Sequence, residues 1–408
     1  MMAQKPEILS PAGDFEKMRF AIAYGADAVY MAGKSFGMRA AAANFDDDAL
    51  RQAIAHAHAH HVKCYITVNI IPSNADLKQL PAYLELLQDV GADALIVADV
   101  GVIALAKQYA PRIPLHISTQ TSILNHAAAN YWASQGAERI VLARELSLED
   151  IAEIRAKTPK ELEIEAFVHG AMCISYSGRC LISQYLTGRD ANHGACAQPC
   201  RWKYNLVEEK RPHEYFPVVE GEGGTYLYNS KDLCMIEHIP ELVRAGITSF
   251  KIEGRNKTAY YAAGITSAYR RAVDRYDENP EDFVLPQDIL DEVEKVSHRN
   301  YYTGFYFGDK DGQYYHDSQY IRDWEVIGMP VCMEGGKATF TLKNRFYQGD
   351  MLELVQPDKP PYPFRAENVT DTQGNVLDVF HHPEMQFTIT FPFPVDAFAI
   401  LRREKKGE

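Results

Sequence analysis

Gly25-Ala-Asp-Ala-Val-Tyr30 places a glycine, a short polar turn and an apolar run one after another. A glycine just past a helix adopts the left-handed conformation that ends the helix, and the apolar run is typical of a buried strand. The pattern returns as Gly91-Ala-Asp-Ala-Leu-Ile96, Gly136-Ala-Glu-Arg-Ile-Val141 and Gly246-Ile-Thr-Ser-Phe-Lys251. It therefore predicts helices that alternate with the strands of a parallel sheet.

Eight strand-like runs can be counted between residue 7 and residue 275, and a helix-like segment follows each of them. The predicted strands are Glu7–Ser10, Ala28–Met31, Cys64–Ile70, Ala94–Ala98, Leu115–Ser118, Arg139–Ala143, Leu162–Phe167 and Ser249–Ile252. The clearest predicted helices are Asp46–His60, Asp76–Val90 and Leu148–Lys157. Eight rounds predict an α/β fold, a (β/α)8 TIM-like barrel, although a doubly wound open sheet stays an alternative on pattern alone.

The chain of 408 residues is long enough for such a barrel and a smaller second domain. We expect residues 1–320 to form the barrel domain, including a helix near Leu285–Ser297. From Trp324 to Arg403 the apolar runs are short, strand-like and separated by turn residues, so residues 324–408 are predicted to form a small all-β barrel or sandwich. Apolar residues make up 46% and charged residues 24%, the balance of a chain that buries a sizeable core.

The charge and hydropathy of the chain argue against two classes of protein, those that coat nucleic acid nonspecifically and those that span a membrane. A formal net charge of −13 argues against nonspecific coating of nucleic acid, which needs many lysines and arginines, but it leaves room for a local basic patch. The sequence shows no signal peptide and no apolar run of the roughly 20 residues that span a bilayer, so we expect a cytoplasmic protein without a membrane partner. In a reducing compartment its 7 cysteines are expected to be thiols or metal ligands.

Four of the cysteines fall in a long insertion after the seventh predicted strand, at residues 170–230. Loops of this length are usually functional, and loops after barrel strands emerge at the catalytic face. The spacing is Cys173-x6-Cys180-x15-Cys196-x3-Cys200. Thiolates this dense indicate a closed metal site. The spacing lacks the tight pairs of a zinc ribbon and the nearby glycines suit a bulky group, which favours an iron–sulfur cluster; zinc and unligated buried thiols are the alternatives.

The run Glu165-Ala-Phe-Val-His-Gly-Ala-Met-Cys-Ile-Ser-Tyr-Ser-Gly-Arg-Cys-Leu-Ile-Ser183 resembles the signature of the collagenase-like peptidase family U32. The resemblance extends to Glu7-Ile-Leu-Ser-Pro-Ala-Gly13, Asn229-Ser-Lys-Asp-Leu233, Lys251-Ile-Glu-Gly-Arg255 and the C-terminal region, and so covers nearly the whole chain. It implies a barrel that carries a [4Fe–4S] cluster.

The stretch around Cys196 and Cys200, with the length and domain order of the chain, looks most like the family members that act in tRNA hydroxylation. The implied reaction is prephenate-dependent formation of 5-hydroxyuridine at the tRNA wobble position. Its implied partners are tRNA and a small carboxylate metabolite, with prephenate as the co-substrate. Other relatives hydroxylate a ribosomal RNA cytidine or act in ubiquinone synthesis, and the latter usually lack a C-terminal domain.

Polar residues at the ends of the predicted barrel strands are the next candidates, because these ends share one pocket. They are Asn69, Asp99, Gln120, Arg144, Glu165, His169, Lys251, Glu253 and Arg255. We expect catalytic roles for Glu165, His169, Lys251 and Glu253, with Glu165 and His169 transferring protons. We expect Gln120, Arg144 and Arg255 to bind substrate, the two arginines by holding a carboxylate. Structural ion pairs of Lys251, Glu253 and Arg255 across the rim are an equally open alternative.

Candidate RNA contacts are Arg201-Trp-Lys203, Lys257, Arg270, Arg271 and the tyrosines between Tyr301 and Tyr320, which could stack on unpaired bases or simply pack. The sequence lacks a His-Glu-x-x-His motif and a Gly-x-Ser-x-Gly elbow, which weakens a peptidase assignment. We therefore expect an iron–sulfur RNA-modifying enzyme. A collagenase-like peptidase and an accessory iron–sulfur scaffold for another hydroxylase are the competing hypotheses.

Overall fold

The computed structural model describes residues 5–38, 44–172, 180–191, 193–202, 206–208, 211–216, 231–308 and 320–405. Its strands are β1 (Glu7–Pro11), β2 (Ala28–Met31), β3 (Lys63–Val68), β4 (Ala94–Val97), β5 (Leu115–Ile117), β6 (Ala137–Val141), β7 (Glu163–Ala171), β8 (Leu206–Glu208), β9 (Arg211–Phe216), β10 (Asp232–Cys234), β11 (Ser249–Ile252), β12 (Tyr301–Tyr302), β13 (Trp324–Glu334), β14 (Lys337–Leu342), β15 (Phe346–Tyr347), β16 (Met351–Val355), β17 (Tyr362–Arg365), β18 (Thr370–Asp371), β19 (Val379–Phe380), β20 (Gln386–Thr390) and β21 (Ile400–Glu404). Its α-helices are α1 (Phe15–Ala23), α2 (Asp47–Ala59), α3 (Leu80–Asp89), α4 (Val100–Tyr109), α5 (His126–Ser134), α6 (Leu148–Ala156), α7 (Ile182–Thr187), α8 (Ile239–Arg244), α9 (Ala259–Glu278) and α10 (Gln287–Glu294). No helix in these ranges is both long and apolar enough to cross a bilayer.

Eight parallel strands close into a barrel, as predicted. Strands β1 to β7 pair in chain order, and β11 pairs with both β7 and β1. A doubly wound sheet would leave two open edges, so this closure excludes it. Strands covered on both faces read as continuous apolar runs. Accordingly, all four residues of β2 and of β4 are buried.

The glycine pattern marks the helix ends as predicted. Gly25, Gly91, Gly136 and Gly246 have φ angles of +97°, +80°, +82° and +86°, which L side chains rarely adopt. At Gly25 a Cβ atom would also lie 2.6 Å from Cγ of Arg270, so the packing of α9 independently requires glycine there.

Strand β7 is longer than predicted, and two further strands extend the sheet beside it. The extension of β7 pairs antiparallel with β10, where Ala171 lies opposite Asp232 and Gly170 opposite Leu233. Strand β12 then pairs with β10. Because the partner of the extension returns about 60 residues later, local periodicity could not reveal it. The insertion therefore leaves the barrel after Ala171 and returns at Asp232.

The C-terminal region forms a separate antiparallel sheet of seven strands in the order β17-β16-β21-β13-β14-β20-β18. Its core is aromatic: the rings of Phe346 and Phe380 stack with centroids 4.7 Å apart, and Phe387 packs against both. The small all-β architecture predicted from the sequence is thereby confirmed, whereas the boundaries at residues 320 and 324 stay a prediction.

A buried arginine joins this sheet to the barrel. Arg402 of β21 donates two hydrogen bonds to Glu292 of α10, at 2.7 and 2.6 Å, and one to Glu353 at 2.9 Å. At the same contact, the Tyr24 hydroxyl lies within hydrogen-bond distance of the carbonyl oxygens of Val355 and Phe398. A bidentate pair of this kind fixes orientation as well as distance. The contact holds the C-terminal sheet beside the barrel.

Candidate active site

A cavity of about 770 Å³ opens at the carboxyl ends of the barrel strands. Three parts of the chain line it: the barrel with Lys251 and Arg255, the insertion with Cys180, Cys196 and Cys200, and the C-terminal region with Trp324 and Lys405. This volume falls in the range of pockets that enclose a small molecule. The position is the one at which barrel enzymes place their active sites.

The cavity is positively charged although the chain is acidic. Its cationic side chains are Arg144, Lys251, Arg255, Lys257, Arg322 and Lys405. Glu253 and Glu325 are the carboxylates among its described lining residues, which leaves an excess of four positive charges. Such a concave patch attracts and concentrates anionic ligands. A net charge of −13 therefore does not describe the site.

Lys251 forms part of the cavity floor. Its ammonium group lies 2.6 Å from Oε1 of Glu165 and 4.6 Å from the centroid of the Tyr30 ring. Burial lowers the pKa of Lys251, and the neighbouring Glu165 carboxylate opposes that effect. The side chain is thus a buried amine whose charge depends on one carboxylate.

Glu165 itself lies inside the barrel, one side chain away from the cavity. It is fully buried and also accepts a hydrogen bond from Nη1 of Arg139 at 3.1 Å. Arg139 in turn donates to Glu7 at 2.6 Å and to Glu163 at 2.7 Å. Because Arg139 contacts both Glu7 and Glu165, these two carboxylates and Lys251 can lie together in the interior of the barrel. Sequence reasoning missed Arg139, although an arginine within an apolar strand was the signal.

Arg144 and Gln120 present buried polar atoms that the protein leaves unsatisfied. Nη1 of Arg144 donates to the Ala171 carbonyl at 2.8 Å, and its guanidinium lies 3.8 Å from the centroid of the Phe167 ring. Nε of Arg144 and Oε1 of Gln120 are buried without a hydrogen-bond partner in the described structure. Both residues line the cavity. Buried groups of this kind are costly unless a ligand or water completes them.

Arg255 also lines the cavity. The side chain is buried, and Nη1 donates to Oγ1 of Thr67 at 3.1 Å. Asn69 and Glu253 also line the cavity. Asp99 has a structural role instead, since its Oδ1 accepts hydrogen bonds from the backbone N–H groups of Gly101 and Val102 and caps α4. The structure thus brings Gln120, Arg144, Lys251, Glu253 and Arg255 together, as expected for strand ends.

His169 does not reach the cavity. It is buried among the rings of Tyr261, Tyr269 and Tyr301, whose centroids lie 6.1, 5.6 and 5.2 Å from its own. Burial lowers the pKa of His169 to about 3, with smaller contributions from the charges of His298 and then Lys257. A histidine that stays neutral and lies behind the strand is poorly placed for the proton transfer expected from the sequence. The extension of β7, which the sequence did not reveal, explains this position.

The neutral His169 makes the protein sensitive to acid. Below pH 6.5 the unfolded chain binds a proton at residue 169 that the folded chain excludes. The contribution of the neutral His169 to the free energy of unfolding is therefore fully present above pH 6.5 and is lost as the pH falls toward 3. His169→Phe is expected to reduce the slope of unfolding free energy against pH in this window by up to about 1.4 kcal/mol per pH unit. Urea unfolding at several pH values measures it. The exposed His382→Phe is the control, and equal slopes for both variants would contradict the assignment.

Three candidate cluster ligands line the same cavity. Cys180, Cys196 and Cys200 all border it, while Cys173 lies outside the described residues. Met172, the residue before Cys173, also borders the cavity. The thiols are the soft donors that iron–sulfur clusters and zinc accept. In the described part of the chain no three His, Cys, Asp or Glu side chains are close enough to hold one ion, so the ligand set stays a prediction.

The backbone around these cysteines suits a cluster. The N–H of Gln198 donates to Sγ of Cys196 at 3.4 Å, the kind of hydrogen bond that sulfur ligands of clusters accept. Ser183 of α7 is buried and accepts a hydrogen bond from the N–H of Ala197 at 3.0 Å, which attaches the short helix to the cysteine loop. The donor chemistry therefore fits the predicted group, but in the described structure Cys180, Cys196 and Cys200 do not converge closely enough to hold one ion.

The candidate RNA contacts fall in different places. Lys257 and Tyr320 line the cavity. Arg270 pairs with Asp27 and Arg271 pairs with Asp288 on the outside of α9, away from the cavity. Trp202 is exposed, whereas Lys203 lies outside the described residues. Sequence reasoning missed the C-terminal lining residues, because the docking of two domains leaves no local pattern.

Comparison with known proteins identifies two family profiles, one over the barrel and one over the C-terminal sheet. The profile of Peptidase family U32 matches residues 13–315, and that of the Peptidase family U32 C-terminal domain matches residues 322–402. The chain is 37% identical to tRNA hydroxylation protein P of Escherichia coli, covering 99% of this chain and 98% of that protein. It is 37% identical to tRNA hydroxylation protein P1 of Bacillus subtilis, covering 94% and 91%. An uncharacterized protease of Methanocaldococcus jannaschii is 44% identical, covering 77% and 75%.

Proposed function

We propose, because this chain belongs to peptidase family U32, that it is an iron–sulfur RNA-modifying enzyme. The specific reaction we propose is prephenate-dependent hydroxylation at C5 of the wobble uridine of tRNA. Two relatives that are similar over more than nine tenths of the chain carry names for tRNA hydroxylation, which supports the substrate class.

The observation that carries the proposal is the cationic cavity beside the cysteines. RNA and prephenate are both anions, and the cavity combines an excess of positive charge with the unsatisfied donor of Arg144. Phosphate and carboxylate groups are the ligands that arginine binds best. A protein of net charge −13 would otherwise repel an RNA substrate. The cationic side chains of the cavity therefore provide the electrostatic attraction for RNA that the acidic chain as a whole lacks.

Cys173, Cys180, Cys196 and Cys200 would hold the cluster in this proposal. When bound, a [4Fe–4S] cluster supplies one-electron chemistry whose potential depends on burial and on hydrogen bonds to its sulfur ligands. The N–H of Gln198 beside Cys196 is one such hydrogen bond. Zinc on the same thiolates is the alternative, and metal analysis separates the two.

The remaining residues act by binding and by placing charge. Arg144 and Arg255 hold the carboxylate groups of the small co-substrate, and Oε1 of Gln120 accepts a hydrogen bond from a donor group of the same molecule. Lys251 keeps a positive charge on the cavity floor, where it stabilises negative charge that develops on the substrate. Glu165 holds this charge in place by its 2.6 Å contact and is a positioning residue. Glu253 is the carboxylate available at the cavity for proton transfer.

A peptidase remains the competing hypothesis, because one relative carries the name of a protease. Serine and cysteine peptidases need a histidine next to their nucleophile. Among the described residues that line the cavity there is no histidine. The hydroxylase hypothesis accounts for the charge of the cavity, which a peptidase does not require.

Nucleoside mass spectrometry of tRNA tests the proposal directly. A strain that lacks this gene is expected to lose 5-hydroxyuridine and the nucleosides made from it, and the plasmid-borne gene is expected to restore them. The anaerobically purified protein should then hydroxylate unmodified tRNA only when prephenate is added. Unchanged 5-hydroxyuridine in the deletion strain would reject the proposal, and peptide hydrolysis by protein stripped of iron would support the peptidase.

Arg144→Lys is expected to weaken the binding of the small carboxylate co-substrate. Lysine keeps the charge but cannot make two parallel hydrogen bonds, nor stack as a plane on Phe167. The KM for prephenate should rise about 10-fold to 100-fold, in line with loss of a charged hydrogen bond, while kcat changes less. Arg112→Lys, on the surface away from the cavity, is the control. A KM equal to that of the wild type would show that the carboxylate binds elsewhere.

A further inference from the structure

We propose that Lys257, Arg322 and the Ser297 hydroxyl form a phosphate-binding site at the cavity rim that holds the RNA backbone. The proposal rests on the proposed function, because it takes RNA as the substrate, and it adds the place at which the polymer is gripped. Lys257 is among the RNA contacts expected from the sequence, whereas Arg322 and Ser297 are new. They come from three separate segments of the chain that meet around the ring of Tyr320.

The ring of Tyr320 gathers three positive charges. Nζ of Lys257 lies 4.4 Å from its centroid, Cζ of Arg299 lies 4.6 Å away and Cζ of Arg322 lies 5.5 Å away. The Tyr320 hydroxyl also accepts a hydrogen bond from Nη2 of Arg299 at 2.8 Å. Cations over an aromatic face are held by its negative charge distribution. Like charges would otherwise separate, so the tyrosine keeps them together.

Residue 297 ties the two solvent-facing cations to each other. Lys257 donates to the Ser297 carbonyl oxygen at 3.2 Å, and Nε of Arg322 donates to the Ser297 hydroxyl at 3.3 Å. Both cations line the cavity, and so do Ser297 and Tyr320. Within the described residues neither cation forms an ion pair, although Arg299 behind them pairs with Asp232 at 3.6 Å. Two positioned cations without a carboxylate are suited to an external anion.

A backbone phosphate fits this site better than the small co-substrate does. Of the cations that line the cavity, Lys257 is partly exposed and Arg322 is exposed, whereas Lys251 is buried within the barrel strand β11. Arg322 is exposed, so a polymer can reach it while one nucleotide enters the cavity. Base-modifying enzymes take the target nucleotide out of its stack and must hold the flanking backbone. The rim would therefore hold the phosphate next to the nucleotide that enters.

The salt dependence of RNA binding tests the site. The probes are unmodified tRNA and an anticodon stem–loop oligonucleotide, and binding is measured over a series of KCl concentrations. Each phosphate contact contributes about 0.7 to 0.9 to the slope of log K against log salt. We expect Arg322→Gln and Lys257→Gln each to lower the slope by that amount and to weaken binding about 3-fold to 10-fold, independently of RNA sequence.

Matched charge removals provide the controls. Arg365→Gln removes an exposed arginine from β17, and Lys107→Gln removes an exposed lysine from α4. Both change the net charge as the test variants do, but neither residue lines the cavity, and we expect the wild-type slope. Tyr320→Phe should keep most of the binding because the ring remains, whereas Tyr320→Leu should behave like the cation variants.

The outcomes separate this site from the proposed function. Hydroxylation of tRNA together with unchanged slopes in both cation variants would overturn the rim site and leave the function standing. Lower slopes without any hydroxylation would support the rim site and reject the reaction. A third arm measures prephenate binding by calorimetry. If Arg322→Gln weakens prephenate and leaves the RNA slope unchanged, the rim binds the small carboxylate and the phosphate assignment is wrong.

Discussion

Cys180→Ser is expected to remove the proposed metal centre and with it the proposed activity. A serine oxygen is a poor ligand for iron held by thiolates, and loss of one of four ligands leaves the cluster open to solvent and oxygen. Anaerobically purified Cys180→Ser should lose the brown absorbance, and its iron and sulfide content should fall by at least about 5-fold. Hydroxylation of tRNA should fall at least about 100-fold, since the cluster is proposed to be required.

Cys332→Ser is the matched control for this experiment. Cys332 is an exposed thiol in the C-terminal sheet and its Sγ lies 3.7 Å from Oε1 of Glu334, away from the cavity. The Cys332→Ser variant should keep the brown absorbance, the iron content and the hydroxylation activity of the wild type. Wild-type iron content in Cys180→Ser would count against the ligand assignment. A zinc content near one atom per chain in the wild type, with no sulfide, would replace the iron–sulfur cluster by zinc.

Glu165→Gln is expected to lower both stability and activity. The substitution leaves the Lys251 ammonium buried without its carboxylate, and breaking one side of a buried ion pair typically costs about 3 to 5 kcal/mol. Burial already lowers the pKa of Lys251, so loss of the opposing carboxylate lowers it further. A neutral Lys251 cannot stabilise negative charge on the substrate. Activity of the variant should therefore rise as the pH is lowered from 8 to 6, unlike that of the wild type.

Two variants distinguish charge from packing. Glu163→Gln removes another carboxylate that contacts Arg139, but this side chain is 45% exposed, so we expect a loss of less than about 1 kcal/mol. Glu165→Gln combined with Lys251→Met removes both members of the buried pair and should recover much of the stability without recovering activity. If Glu165→Gln kept the pH profile of the wild type, Lys251 would not owe its charge to Glu165.

The barrel was predictable because its signals are local. Each strand is a short apolar run, and a glycine such as Gly25 or Gly91 ends the helix before it. The same reasoning placed Arg144, Lys251 and Arg255 at strand ends, and all three meet at the cavity. For these three residues, a position near the carboxyl end of a barrel strand was enough to predict that the side chain lines the cavity.

His169 and Glu165 show where this reasoning stops. Both lie in β7, but its last residues pair with β10, which turns His169 into a ring cluster, while Glu165 lies a full layer inside the barrel. The sequence shows that a residue is near a strand end but not which layer its side chain enters. The sequence also did not reveal the rim site, because Lys257 and Arg322 are far apart in the chain and meet at the ring of Tyr320.

The pairing of Ala171 with Asp232 brings the two ends of the insertion next to each other in the sheet. A segment that departs and returns at neighbouring positions imposes almost no constraint on the walls of the barrel, and its length affects the entropy of closure only weakly. Such a segment can be exchanged, shortened or replaced in a chimera while the scaffold persists. The segment that carries the candidate cysteines could thus be replaced while the strands of the barrel keep their pairing.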